Sequence, residues 1–164
     1  MISSEVRLRP ATSDDAYVLF DLIQALAAYE KLSHAVVGSA AALEEHLFGA
    51  HPYVEAILAE IQNKPVGFAL FFHNYSTFLT QRGIYLEDLF VLPEYRRQGI
   101  GKALIKHLAQ LAQERNCGRL EWSVLDWNES AIAFYRRLGA SILPDWRICR
   151  VTDKAIEAIA NAKV

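Results

Sequence analysis

The sequence predicts an α/β (α+β) fold in which helices flank a mixed central β-sheet of about six to seven strands. Three consecutive apolar runs, at residues 53–61, 65–73 and 84–92, indicate an antiparallel meander. A helical pattern at residues 101–115 and a further apolar run at 120–125 then follow, which is the order of a βαβ unit. A meander that continues into a βαβ unit produces a mixed sheet with helices on its faces.

The remaining elements are predicted in chain order. Residues 6–9 alternate and stop at Pro10, as a first strand would, and the turn Thr12–Asp15 combines a capping hydroxyl with early acids, which begins a helix. Apolar side chains recur at helical spacing as far as Tyr29, and a second helix follows Ser39. Residues 74–83 are polar and predict a loop. Toward the C-terminus we predict a helix over residues 128–138 with Asn128 as its N-cap, a strand at 148–151 and a helix at 153–160.

Composition narrows the function classes. The chain has 164 residues, 52% of them hydrophobic, and a formal net charge of −2, which predicts a single globular domain over residues 1–164. No long basic run or bilayer-length apolar run is present, so we expect neither a nucleic-acid partner nor a membrane. Cys117 and Cys149 are interpreted as buried small side chains in a reducing, cytoplasmic compartment. The three tryptophans are expected in the core, and the five histidines suggest no metal site.

The segment from Val91 to Leu104 joins a predicted strand to a predicted helix through a basic turn that contains two glycines. The first N–H groups of a helix and the positive end of its dipole attract anions, and glycine lets the backbone approach a phosphate. The turn therefore predicts a diphosphate ligand. A Walker-type loop would need glycine in place of Arg96, and a dinucleotide fingerprint would need glycine in place of Leu104.

The pattern Arg96-x-x-Gly99-x-Gly101 resembles the main motif of the GNAT superfamily of acetyl-CoA-dependent N-acetyltransferases. The likeness extends over most of the chain and is closest to the diamine/polyamine (spermidine/spermine) and thialysine acetyltransferase branch. Segments that match this branch are residues 9–12, 28–30, 85–91, 127–131 and 134–140. The resemblance implies the GNAT fold, acetyl-CoA as cosubstrate, no metal and a homodimer.

The resemblance implies two catalytic residues. Tyr135 matches a tyrosine that protonates the leaving thiolate, although its spacing alone equally fits an aromatic that packs a helix on the sheet. Glu87 lies in an otherwise apolar strand, where it would accept the amine proton or bind the ammonium; a strand-end salt bridge is the alternative. In a regular strand Asp88 points to the opposite face, so only one of the two acids would meet the substrate, and the resemblance favours Glu87. The resemblance also leaves open a bulge at this place, which would change that assignment.

The resemblance also implies the residues that bind the two substrates. Main-chain groups of β-strand residues would pair with pantetheine, the turn would hold the diphosphate, and an asparagine at a helix start would contact the coenzyme. These cofactor-binding candidates are Leu89, Phe90, Val91, Arg96, Arg97, Gln98, Gly99, Ile100, Gly101, Lys102, Asn128 and Ser130. The amine-binding candidates are Tyr29, Glu30, Glu87 and Asp145.

One segment departs from the polyamine enzymes. Their Asp-Pro-Trp sequence is replaced by residues 74–78, which contain no acid. The departure favours short diamines or lysine-like and thialysine-like amines over spermine. Two alternatives stay open: acetylation of a protein N-terminus or lysine, and a non-catalytic coenzyme A-binding module.

Overall fold

The computed structural model describes residues 5–162, which form two compact units divided in sequence between Ser123 and Val124. The first unit contains strands β1 (Arg7–Pro10), β2 (Glu55–Ile61), β3 (Lys64–Ser76), β4 (Gln81–Val91) and β5 (Leu120–Trp122), with helices α1 (Ala16–Tyr29), α2 (Ala40–Phe48) and α3 (Ile100–Glu114). The second unit contains helices α4 (Glu129–Arg137) and α5 (Lys154–Ala160). None of the helices in the described range is long and apolar enough to cross a membrane.

The five strands of the first unit form one mixed sheet in the order β1-β2-β3-β4-β5. The first four are antiparallel neighbours, and β5 runs parallel to β4. The mixed α/β class is confirmed, but the predicted count of six to seven strands is wrong for the described residues. The strand expected at residues 148–151 does not form, and Ile148 there is 72% exposed. A short segment without a paired neighbour cannot satisfy its backbone groups as a strand.

Helices cover both faces of the sheet. On one face, side chains of α1 and α2 enclose a core with β2, β3 and β4, formed by Leu19, Leu22, Leu26, Leu47, Ala56, Leu58, Phe68, Leu70 and Phe90. On the other face lies α3, whose stripe of Leu104, Ile105 and Leu108 is buried. Arg115 follows the last residue of α3, and its guanidinium carbon lies 6.0 Å from the centre of the Phe71 ring. The α3 stripe is the helical pattern that the sequence predicts.

The predicted loop at residues 74–83 is largely a continuation of the hairpin. β3 extends to Ser76 and β4 starts at Gln81, so that Asn74 lies opposite Gly83. A Cβ on Gly83 would meet the Asn74 side-chain oxygen, so a larger residue there would have to displace the Asn74 side chain. The strands are polar here because much of their surface is exposed, and Tyr75 is 58% exposed. The prediction of a loop over residues 74–83 is wrong because polar residues on an exposed hairpin lack the apolar alternation that indicates a strand.

In the second unit, Asn128 caps α4. Its side-chain oxygen accepts from Ala131 N at 3.2 Å and from the Ser130 hydroxyl at 3.1 Å, which satisfies a backbone donor at the helix start. Two expectations for buried residues are wrong: Trp127 and Trp146 are 52% and 80% exposed, and Cys149 is exposed as well. Composition alone does not reveal which large side chains find a partner to cover them.

Candidate active site

The turn between β4 and α3 has the geometry of an anion-binding site. Arg97 and Gly99 adopt left-handed conformations with φ of 61° and 82°. Gly99 is the N-cap of α3 and supplies no side-chain cap, and helical hydrogen bonding begins with Ala103 N donating to Gly99 O at 2.9 Å. The N–H groups of residues 100–102 consequently precede the first intrahelical bond and point out of the helix end. This arrangement suits a diphosphate.

Ile100 anchors the start of the helix. Its side chain is 2% exposed, while Arg97, Gln98 and Gly99 are exposed. The turn is therefore held at one end by packing, and its polar side faces solvent where a ligand can reach it. Lys102, the third residue of α3, is exposed and adds positive charge.

The side chain of Arg96 follows a different course from the rest of the turn. Its Nε donates to Val91 O at 2.9 Å, and its guanidinium carbon lies 4.2 Å from the centre of the Tyr29 ring. The Phe90 ring centre lies 5.4 Å from the same carbon. Arg96 therefore packs against the ends of α1 and β4.

Among the described residues, the edge of β4 that faces β5 is unpaired over its C-terminal half. Pairing with β5 covers only Ile84, Tyr85 and Leu86, which lie opposite Leu120, Glu121 and Trp122. Beyond Leu86, no strand in the described part of the chain pairs with this side of β4, although β3 still pairs with its other side as far as Val91. Main-chain groups of residues 87–91 therefore lie on this unpaired strand edge, to which an extended ligand with amide groups can add hydrogen bonds as a strand would.

A β-bulge changes the direction of the acidic pair in β4. Leu86 lies opposite Phe71 and Asp88 lies opposite Leu70, so Glu87 is the extra residue. The strand is therefore bulged at this place and not regular. The bulge places Asp88 on the face toward α1, opposite to the face of Leu86, while Glu87 is exposed.

The bulge gathers an acidic cluster, which we define as Glu30, Glu87 and Asp88. Burial, followed by the charges of Glu87 and Glu30, raises the pKa of Asp88 to about 6. Burial also raises the pKa of the Glu30 carboxyl. Glu30 directly follows Tyr29 at the end of α1, so the predicted amine-binding residue Tyr29 lies next to the cluster. The sequence resemblance favoured Glu87 over Asp88. The position of a bulge depends on how β4 pairs with β3, and the residues of β4 alone do not determine that pairing.

The other predicted site residues belong to the second unit. Tyr135 is buried, and its ring centre lies 5.3 Å from that of Phe134. The Asn128 side chain is engaged as the cap of α4, so the capping interpretation is confirmed. Asp145 is exposed. The roles of these residues toward substrate stay predictions.

The fold and the turn are those of an acetyltransferase. The sequence profile of the Acetyltransferase (GNAT) family matches residues 20–140. The chain belongs to this family, and it is an N-acetyltransferase whose family uses acetyl-CoA as cosubstrate.

Named relatives match nearly the full length. The chain is 40% identical to the thialysine N-epsilon-acetyltransferase of Bos taurus, over 95% of this chain and 98% of that protein. It is 33% identical to the L-ornithine N5-acetyltransferase of Arabidopsis thaliana, over 96% and 89% of the two chains. These matches confirm the branch that the sequence motifs predicted.

Solved structures agree on the fold. An integron cassette protein from the mobile metagenome of V. cholerae superposes with a TM-score of 0.80 at 28% identity, covering 96% of this chain and 98% of that one. An aminoglycoside acetyltransferase from an uncultured soil metagenomic sample superposes with a TM-score of 0.78 at 20% identity, covering 93% and 99%. The second likeness concerns the fold alone.

Proposed function

We propose that this enzyme transfers the acetyl group of acetyl-CoA to a primary amine of a small cationic acceptor, by direct attack in a ternary complex. The observation that carries the acceptor class is the acidic cluster. Three carboxylates beside the open edge of β4 favour an ammonium, because its positive charge offsets their mutual repulsion.

The amine must lose a proton before it attacks. An alkylammonium has a pKa near 10, so about one molecule in a thousand is neutral at pH 7. Asp88, with a pKa of about 6, is largely ionised at neutral pH and still basic enough to accept a proton, directly or through water. Glu87, exposed at the bulge, binds the ammonium or shares the proton. The role of general base, which the sequence resemblance gave to Glu87, is therefore assigned to Glu87 and Asp88 together.

The coenzyme is assigned to the turn and to the open edge of β4. The N–H groups of residues 100–102 hold the diphosphate, aided by Arg97 and Lys102, and the left-handed Gly99 leaves the backbone accessible. Main-chain groups of residues 89–91 bind the pantetheine amides and polarise the thioester carbonyl. We assign Asn128 and Ser130 to the coenzyme and Tyr135 to protonation of the departing thiolate.

The acceptor is a short amine. The relatives described above are named for thialysine and ornithine, both small amino acids with a side-chain amine. Residues 74–78 contain no acid that would hold a distant second ammonium. Glu30 belongs to the cluster and Tyr29 precedes it. We assign both residues, and Asp145, to the same acceptor. We therefore expect ornithine, lysine, thialysine or a short diamine to be preferred over spermine.

An amine panel tests the function. Release of coenzyme A thiol is measured with ornithine, lysine, thialysine, putrescine, spermine and a lysine peptide, for the wild type and for Tyr135→Phe. We expect the small amines to give the highest kcat/KM, and we expect Tyr135→Phe to lower kcat by about 10²-fold or more. Preference for the peptide would favour a protein acetyltransferase. Coenzyme A binding without thiol release from any amine would favour a non-catalytic module.

We also propose a cytoplasmic homodimer without a nucleic-acid partner. Two free thiols suit a reducing compartment, and a net charge of −2 without a basic run disfavours nucleic acid. Apolar side chains of the second unit are exposed, among them Trp146, Ile148 and Ile159. Light scattering after size exclusion tests the dimer, and a monomer at micromolar concentration would contradict it.

A further inference from the structure

Arg96 connects the coenzyme-binding turn to the end of α1. Its guanidinium carbon is 4.2 Å from the Tyr29 ring centre, and its Nε bond to Val91 O is 2.9 Å long. With the Phe90 ring at 5.4 Å, the side chain is held by one residue of α1 and two of β4. All four residues lie in the first unit.

These contacts are suited to fixing a position. A guanidinium within about 6 Å of an aromatic ring is attracted by the negative face of the ring. The Nε hydrogen bond adds a direction to this attraction. Arg96 directly precedes Arg97, where the backbone enters its left-handed conformation with φ of 61°. Restraining Arg96 consequently restrains the place where the turn begins.

The partner ring belongs to the acceptor side of the site. Tyr29 is the last residue of α1, and Glu30 follows it and contributes to the acidic cluster. Tyr29 is 38% exposed, so one part of its ring is available to a ligand while another part lies under Arg96. Movement of Tyr29 therefore affects both the turn and Glu30.

We propose that Arg96 is a positioning residue that couples the coenzyme-binding turn to the amine-binding site through Tyr29. The inference rests on the proposed function, because it assumes that the turn binds coenzyme A. It predicts that a residue on the acceptor side determines coenzyme affinity even when no amine is present. Coupling between two ligands is reciprocal, so the amine and coenzyme A should each change the affinity for the other by the same factor.

A double-mutant cycle tests the contact. Calorimetric titration with coenzyme A alone is carried out on the wild type, Tyr29→Leu, Arg96→Met and the double variant. Each single substitution should weaken binding about threefold to tenfold, and the double variant should bind no more weakly than the weaker single variant. Tyr29→Phe keeps the ring, so its coenzyme affinity should stay within about twofold of the wild type.

The neighbouring Arg97 provides a matched control. It carries the same charge in the same turn, but it is exposed. Arg97→Met should weaken coenzyme binding through lost charge, and its effect should multiply with that of Tyr29→Leu. A purely electrostatic role for Arg96 would give the same multiplication for Tyr29→Leu with Arg96→Met, which would overturn the inference.

Two further outcomes are distinguishable. If the wild type binds coenzyme A and Tyr29→Leu binds it equally well, the coupling is refuted while the proposed function stands. If the wild type gives no heat with coenzyme A, the proposed function and the inference both fail. Melting temperatures are recorded for every variant. If Arg96→Met unfolds, Arg96→Lys replaces it in the cycle, because lysine keeps the charge but cannot stack a planar guanidinium on the Tyr29 ring. Arg96→Lys should show the same loss of coupling to Tyr29.

Discussion

The carboxylates of Glu30 and Asp88 come from different elements, yet the charge of Glu30 raises the pKa of Asp88. Burial is the largest cause of the rise in the Asp88 pKa, followed by the charge of Glu87 and then by that of Glu30. A cation placed among the three acids would relieve the repulsion, because it supplies the charge that the cluster lacks. The acidic cluster therefore favours the binding of a positive charge.

Replacing Asp88 should alter the pH dependence of catalysis. Asp88→Asn cannot accept a proton, so we expect kcat/KM at pH 7.5 to fall at least about tenfold. The wild-type profile should lose activity below about pH 6 as Asp88 is protonated, and this limb should shift or disappear in the variant. Initial rates from pH 5 to 9 measure the effect, with Asp21→Asn on an exposed position of α1 as the control. An unchanged limb in Asp88→Asn would rule out this role.

The same substitution should stabilise the protein at high pH. The folded-state pKa of Asp88 is raised from 3.8 to about 6, so the folded state binds the proton more tightly than the unfolded state does. Its contribution to stability is complete below pH 3.8 and is lost as the pH rises through about 6. At pH 8, Asp88→Asn should therefore raise the free energy of unfolding by about 1–2 kcal/mol. Urea unfolding at pH 4 and pH 8 measures it, and an equal effect at both pH values would contradict the prediction.

The left-handed conformation of Gly99 should make this position intolerant of a side chain. A Cβ there meets no atom within 4 Å, so the cost of Gly99→Ala comes from its φ of 82°. We expect a loss of about 1 kcal/mol in unfolding free energy and weaker coenzyme A binding as the turn shifts. Gly38→Ala is the matched control, because Gly38 also has open space but no positive φ. Equal coenzyme affinity of wild type and Gly99→Ala would argue against the assigned turn.

Arg9 should be important for stability rather than catalysis. It donates to Asp15 at 2.6 and 2.8 Å and to Glu60 at 2.8 Å, and both acids are buried. Arg9→Met leaves these carboxylates without their main cation, so we expect a loss of about 3 kcal/mol in unfolding free energy. Arg7→Met is the control, because Arg7 is exposed and lies 3.9 Å from Glu60. Its effect should stay below about 0.5 kcal/mol, and similar losses in both variants would contradict the network's importance.

The Arg9 pair also predicts an acid limb of stability. Hydrogen bonds from Arg9 are the largest cause that lowers the pKa of Asp15, from 3.8 to about 2. The stability that it contributes is present above pH 3.8 and is lost as the pH falls through about 2. Unfolding of Asp15→Asn should therefore depend less on pH between 4 and 2 than unfolding of the wild type. Equal slopes in this range would show that Asp15 does not cause the limb.

Features set by neighbouring residues could be predicted from the sequence. The turn from Arg96 to Lys102 was recognisable because glycine, arginine and the helix start act over a few residues. The cap at Asn128 and the stripe of α3 were predicted for the same reason. These signals depend on backbone preference and helical periodicity, which the local sequence contains.

Features set by distant pairing could not be predicted. The bulge at Glu87 exists only in relation to Leu70 and Phe71 of β3, and it decides which acid faces α1. Likewise, residues 148–151 have strand-forming side chains but no neighbour in the described chain that pairs with them. Strand formation needs a partner for its backbone groups, so composition alone misjudged both places.

Glu87 is the extra residue of the bulge in β4. Because of it, Leu86 and Asp88 face opposite sides of the sheet, although residues two apart in a regular strand share a side. Removing that one residue by deletion would restore a uniform alternation in which Leu86 stays opposite Phe71 and Asp88 stays opposite Leu70. The pKa of Asp88 would then fall, because the adjacent charge of Glu87 is one of the causes that raise it. Strand length at this point thus sets the basicity of one carboxyl without moving it to the other face.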